Sequence, residues 1–167
     1  FVLAVNPLVQ EGVLNNEAPV TCHSLTGYSG GGKSLINKYE QCEDGETMRA
    51  PRPYSLKLSH KHLPEMQKRT NLLQPPLFTP IVANFYKGMA VSVFLPAQFL
   101  RKKMSAKEIH GVFAEYYAGE KFIRVMPYEA DAYLDNGYFL VEGCNDTNRV
   151  DIFVLGNDTQ ILLIARL

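Results

Sequence analysis

The 167 residues contain no tryptophan, only three cysteines and no surplus of either charge. Each scarcity removes a class of function. Seventeen basic residues cancel seventeen acidic ones, so there is no electrostatic footprint for nucleic acid or for an anionic membrane surface. No apolar run approaches the roughly eighteen residues of a membrane span. The start, Phe1 to Leu8, lacks the basic stretch and small-residue cleavage site of a secretion signal. Cys22, Cys42 and Cys144 are odd in number and form no CxxC pair. That usage fits reduced thiols in a cytoplasmic setting, and all three read as structural or incidental. No repeat and no low-complexity segment occurs. What is present is ordinary: 46% hydrophobic and 20% charged residues, the balance of a soluble globular domain. The length suits a single domain over 1–167. The absence of a starting methionine and the β-like run at the other end suggest cuts through a longer protein.

Hydrophobic spacing outlines the elements. Residues 1–14 read as helical, although Pro7 is awkward in a helix interior. Pro19 to Leu25 reads as a strand and Lys33 to Glu40 as a short helix. Between them Gly27 to Gly32 breaks regular structure. Residues 41–53 are polar and turn-rich, a surface loop, and Tyr54 to Leu58 alternates like a strand. Leu63 to Leu72 reads as a helix with Pro64 early, where a missing N–H is harmless. Phe78 to Phe85 and Met89 to Leu95 are strand-like. The clearest helix is Ser105 to Ala118. Ser105 and Glu108 form a capping box, Ile109, Val112, Phe113, Tyr116 and Tyr117 share one face, and Gly119 stops it. Strands then follow at Phe122 to Met126, Tyr138 to Gly143, Arg149 to Leu155 and Gln160 to Leu167, the last two as a hairpin across Gly156-Asn157-Asp158. Seven or eight strands against two to four helices predict an α+β fold: a mixed, mostly antiparallel sheet with helices packed on one face.

Three clusters could carry chemistry. Gly27-Tyr28-Ser29-Gly30-Gly31-Gly32-Lys33-Ser34 matches the phosphate-loop pattern G-x-x-x-x-G-K-[ST]. Glycines let several backbone N–H groups face one anion, and a following helix adds a favourable dipole. A nucleotide hydrolase also needs a parallel sheet and an aspartate for Mg²⁺ at a strand end, whereas Asp151 begins a strand and Asp158 lies in a turn. An anion-binding turn of another kind is favoured; an ATP- or GTP-binding loop and a ligand-free glycine turn are the alternatives. In His60-Lys61-His62-Leu63-Pro64-Glu65, two imidazoles can donate and accept protons near neutral pH. Glu65 stands where it can orient one of them or start a helix. No third and fourth ligand follows at metal-site spacing, so no metal is expected; surface histidines in a turn are the bland alternative. Phe78-Thr79-Pro80 through Lys87-Gly88-Met89 alone says strand, turn, strand, with Lys87 solvated.

Taken together and in order, these clusters resemble the C-terminal, substrate-binding and dimerisation domain of the N-acetyl-γ-glutamyl-phosphate reductase family. That family has a Ser-Gly-x-Ser-Gly-x-Gly-(Arg/Lys) turn, a His-(Arg/Lys)-His-x-Pro-Glu segment and a Phe-Thr-Pro…(Arg/Lys)-Gly pair. The corresponding residues are Thr26 to Lys33, His60 to Glu65, and Phe78-Thr79-Pro80 with Lys87-Gly88. The resemblance extends nearly end to end. It implies a substrate domain like that of glyceraldehyde-3-phosphate dehydrogenase, with a sheet that pairs subunits into a homo-oligomer. It implies reduction of a small acyl phosphate by NADPH in arginine synthesis, through a cysteine nucleophile. By motif, His62 is the first choice for the acid/base and His60 the second, with Glu65 as orienter. Ser29, Gly30 and Lys33 would line the substrate or phosphate pocket, Lys33 giving a point charge where arginine would give a bidentate contact. Neither the family's Gly-Cys-Tyr nucleophile segment nor the dinucleotide fingerprint G-x-G-x-x-G occurs in these residues. NADP would therefore be bound mainly by an N-terminal domain outside this chain, and the chain alone is expected to be inactive. A non-catalytic dimerisation module is the remaining alternative.

Overall fold

The computed structural model describes residues 1–41, 48–128 and 133–167. Cys42 and residues 43–47 of the 41–53 loop lie outside the described residues. The chain opens with helix α1 (Val2–Gln10), turns back into strand β1 (Thr21–Gly27) and passes through a short 3-10 turn at Tyr28–Gly31 into α2 (Lys33–Glu40). A two-residue strand β2 (Arg52–Pro53) and helix α3 (Leu63–Thr70) lead to β3 (Leu77–Ala83) and β4 (Met89–Pro96). Then come α4 (Ala106–Tyr116), β5 (Ile123–Val125), a small hairpin of β6 (Leu134–Asp135) and β7 (Tyr138–Phe139), and the closing strands β8 (Val150–Gly156) and β9 (Gln160–Arg166).

Seven strands form one sheet in the order β2-β3-β1-β4-β9-β8-β5. Two pairings are parallel, β1 with β3 and β5 with β8; the others are antiparallel. This is the expected mixed α+β sheet. Because β1 and β3 are parallel neighbours, residues 28–76 make one long crossover that carries α2, β2 and α3. A parallel pair requires such an excursion.

Alternation decides which side chains meet the helices. Cys22, Val91, Val93, Leu95, Ile152, Val154, Ile161, Leu163 and Ala165 form a core with Ala4, Val5 and Leu8 of α1, Met66 of α3, and Ile109, Phe113 and Tyr117 of α4. Burying each large apolar side chain contributes on the order of 1.5–3 kcal/mol, and this layer is the largest in the molecule. On the opposite face Phe139 and Val141 pack on Phe153, Ile164, Met126 and Ala90. Among the described residues of that face, Phe94 is 40% and Leu77 54% exposed.

The predicted capping box of α4 is present in both halves, Ser105 Oγ accepting from Glu108 N–H and the Glu108 carboxylate accepting from Ser105 N–H. Pro7 does lie inside α1. It has no N–H for the carbonyl of Leu3, four residues earlier. Instead the hydroxyl of Tyr117, at the end of α4, donates to that carbonyl at 2.8 Å.

Two expectations fail and one element is new. Tyr54 to Leu58 is not a strand: Ser55 and Leu58 have φ of 54° and 53°, incompatible with extended pairing, and the edge strand lies at Arg52–Pro53. The strand expected over Tyr138 to Gly143 stops at Phe139, and residues 140–148 run on as turns and bends. Strand β6 was not anticipated. It exists because Asn136 and Gly137, at φ 49° and 84°, make the primed turn that closes a two-residue hairpin.

Candidate active site

Gly27 ends β1 against the turn that joins β3 to β4. A Cβ on Gly27 would stand 2.7 Å from the Tyr86 carbonyl oxygen and 2.8 Å from Lys87 N, so only glycine permits this approach. The closeness lets three backbone hydrogen bonds form: Gly27 N–H to Gly88 O (3.0 Å), Tyr28 N–H to Phe85 O (2.9 Å) and Ser29 N–H to Tyr86 O (2.9 Å). The bend thus hangs from residues 85–88. Beyond it, Gly32 at φ 76° starts α2, Ser29 is half-buried, and Gly30 to Ser34 are exposed. Ser29, Gly30 and Lys33 therefore belong to one short surface bend at the C-terminal end of β1. Tyr28 stacks on Tyr39 of α2 with ring centroids 4.6 Å apart, and Tyr86 meets Tyr28 edge-on at 5.6 Å.

The histidines sit elsewhere on the same excursion. The half-buried His60 ring is walled by Phe78 at 5.2 Å, Tyr54 at 5.8 Å and His62 at 4.8 Å between centroids. Its Nδ1 accepts the backbone N–H of His62 at 3.2 Å. A neutral imidazole that accepts at Nδ1 carries its proton on Nε2. Burial first, then the neighbouring His62 and Lys61, lower the pKa of His60 from the ordinary histidine value. His62 caps α3 and is exposed; Glu65 stands in the first turn of that helix. Among the described residues no hydrogen bond joins Glu65 to either ring.

The register measures the gap. Phe78, which carries His60, pairs with Cys22, whereas the bend begins at Gly27. Five residues at about 3.3 Å each put the imidazoles and the bend about 16 Å apart along the strands. They are not in contact. Helix α1 has its C-terminal turn tied to the far end of β4, with Arg101 N–H donating to Val13 O and Leu14 bridged to Leu100. It therefore runs antiparallel to β1, and its N-terminus points along the sheet toward the bend.

The described cysteines are no substitutes for a nucleophile. Cys22 and Cys144 are free and buried, and burial pushes the Cys22 thiol up to about 12, where almost no thiolate exists at neutral pH. Nor does the bend head a nucleotide-hydrolase core: β1 lies antiparallel to β4, and Asp151 is consumed by an arginine cluster. That cluster escaped sequence reasoning, since Arg124 and Arg166 reach Asp151 only through strand pairing. The fully buried Asp151 receives Arg124 in two-pronged fashion (3.0 and 2.9 Å), Arg149 at 3.0 Å and Arg166 at 2.8 Å. Burial alone would raise its pKa; hydrogen bonds from Arg124, Arg166 and Cys144 outweigh that and hold it at about 2. Arg166 also lies over Phe153 and Phe139 and donates to Leu140 O. Among the described residues no three histidine, cysteine or carboxylate side chains gather as metal ligands would.

The profile of the family described as semialdehyde dehydrogenase, dimerisation domain, matches residues 1–167. Over its whole length the chain is 43% identical to N-acetyl-gamma-glutamyl-phosphate reductase 2 of a Nostoc species, covering 54% of that protein. It is 40% identical to N-acetyl-gamma-glutamyl-phosphate reductase of a Chelativorans species over 96% of this chain and 52% of that one. The chain thus spans about half the length of the curated relatives it matches. Its backbone resembles aspartate semialdehyde dehydrogenase of Francisella tularensis, with a TM-score of 0.71 at 13% identity over 98% of this chain and 56% of the other.

Proposed function

The chain belongs to the semialdehyde dehydrogenase dimerisation-domain family, and on that premise we propose that it is the substrate-binding and subunit-pairing domain of an N-acetyl-γ-glutamyl-phosphate reductase of arginine synthesis. The observation that carries the reading is the likeness of all 167 residues to about half of a reductase bearing that name. The dinucleotide fingerprint G-x-G-x-x-G is missing from the sequence, so in this reading the nicotinamide cofactor, NADP, belongs to the remainder of the enzyme. It supplies the hydride there.

In this reading the longer enzyme's nucleophile stands between the bend and the histidines. The direction of α1 and a gap of about 16 Å support that, because residues preceding Phe1 would continue along the helix into the gap. The bend, with Ser29, Gly30 and Lys33, receives the anionic end of the substrate. The two histidines divide the work. His60 spends Nδ1 on the His62 backbone and is packed against Phe78 and Tyr54, so it holds the segment in place. His62 faces solvent and moves protons at the thiol and at the tetrahedral centre. Glu65 supports the α3 start from which His62 projects. The open sheet face around His23, Phe94 and Leu77 pairs with a second copy, giving a homo-oligomer in the cytoplasm.

In the longer reductase His62→Asn is expected to lower kcat by about 10²–10⁴-fold, while the 167-residue chain alone oxidises no NADPH with substrate. Full activity after replacing both His60 and His62 by alanine would leave a pairing module with no catalytic part.

A further inference from the structure

We infer that segment 140–149 is a buttress for the glycine bend and that Asn145 is a positioning residue setting the bend's affinity for a phosphate or acyl-phosphate anion. The inference rests on the reading of the bend as the anion site.

The bend is only as well placed as residues 85–88, from which its three backbone hydrogen bonds hang. Those residues are an exposed turn between strands, and one side of the turn is held by Asn145. Its Nδ2 donates to Lys87 O at 2.9 Å and reaches Glu142 Oε1 at 3.3 Å. Its Oδ1 fills the space a Cβ on Gly88 would take, 2.8 Å away. Asp146, beside it at φ 61°, pairs with the Lys87 ammonium. Lys87 is exposed, as expected, and its ion pair ends on the same segment.

The segment is itself fixed from below. Arg166 donates to Leu140 O and to the buried Asp151. Gly143 lies so close to that guanidinium that a Cβ would stand 2.5 Å from it. Cys144 O accepts from both Thr147 N–H and Thr147 Oγ1. A continuous chain of contacts therefore runs from Asp151 through Arg166, the 140–147 turns and Asn145 to Lys87 O, Gly88 and the bend. Preorganised N–H groups bind an anion better than groups that must be ordered on binding, so loosening Asn145 would cost affinity at a site it never touches.

The test titrates inorganic phosphate into the ¹⁵N-labelled chain and follows the amides of Gly30, Gly31, Lys33 and Ser34. Saturable shifts in the unsubstituted protein support the anion reading of the bend; their absence overturns that reading. Asn145→Ala is expected to weaken phosphate about fivefold or more, with core amides such as Phe113 and Ile152 unmoved. Lys87→Met, which cuts only the Asp146 leg, is expected to weaken it less. Unchanged phosphate affinity in Asn145→Ala, with binding intact in the unsubstituted protein, overturns the inference and spares the reading. Should Asn145→Ala disturb the core amides, Asn145→Asp keeps the size and loses the donation to Lys87 O; affinity equal to that of the unsubstituted protein then overturns the inference.

Discussion

Replacing Tyr117 by phenylalanine removes one oxygen and leaves the ring in its buried place. The oxygen is the donor to Leu3 O at 2.8 Å, and Pro7 ensures that no backbone N–H can replace it. An acceptor left without a partner costs about 1–3 kcal/mol. Leu3 is half-buried, so the lower half of that range, about 1–2 kcal/mol, is expected for Tyr117→Phe. The cause is separable from general damage to the α1–α4 contact by a second change. Pro7→Ala restores a backbone N–H that can close the helical bond to Leu3 O. In that background Tyr117→Phe should cost about 0.5 kcal/mol or less, leaving a coupling of about 1 kcal/mol between two residues that are far apart in sequence. Urea unfolding followed by far-ultraviolet circular dichroism measures all four proteins. Equal costs of Tyr117→Phe with proline and with alanine at position 7 would refute the argument, since the hydroxyl would then not be answering for the missing N–H.

Two further outcomes follow from the geometry. Asp151, held at about 2 against an ordinary 3.8, contributes stability that is present above pH about 4 and lost as pH falls toward 2, on the order of 2 kcal/mol; acid unfolding of the chain should therefore steepen across that window, and Asp151→Asn, which strands three arginines, should cost about 3–5 kcal/mol and flatten it. Gly27→Ala drives a methyl group into the Tyr86 carbonyl and Lys87 amide, so it should abolish phosphate-dependent shifts at the bend; a variant that still binds phosphate normally would show that the close approach is dispensable.

Much of the architecture was legible because local signals agreed with the fold. Lys33 to Glu40 is α2 to the residue, and Gly156-Asn157-Asp158 does join the last two strands. The failures have physical causes. Tyr54, Leu56 and Leu58 alternate, but they are 42%, 73% and 54% exposed, so the period of two has no buried face behind it. Tyr138 to Gly143 has strand composition, yet Arg166 captures the Leu140 carbonyl and turns the chain away. The bend and the histidine pair were visible as motifs. The distance between them was not, because it is set by the parallel register of β1 and β3 over a crossover of nearly fifty residues. The Asp151 cluster left only the Arg149-x-Asp151 pair as a local trace: Arg124 and Arg166 join it only once β5, β8 and β9 pair.

That crossover has a consequence for how members of this domain family diversify. Bend, helix α2, the imidazoles and α3 all lie on one excursion that leaves β1 after Gly27, gives the sheet its edge strand at Arg52–Pro53 and enters β3 at Leu77. The strands that receive its two ends are neighbours in the sheet, so a transplant of residues 28–76 from one family member to another would be joined at two adjacent strand ends and along the short β2–β3 edge pairing. The bend and the imidazoles can therefore change hands as a cassette, while the layer of Val93, Leu163 and Ile152 underneath stays as it is.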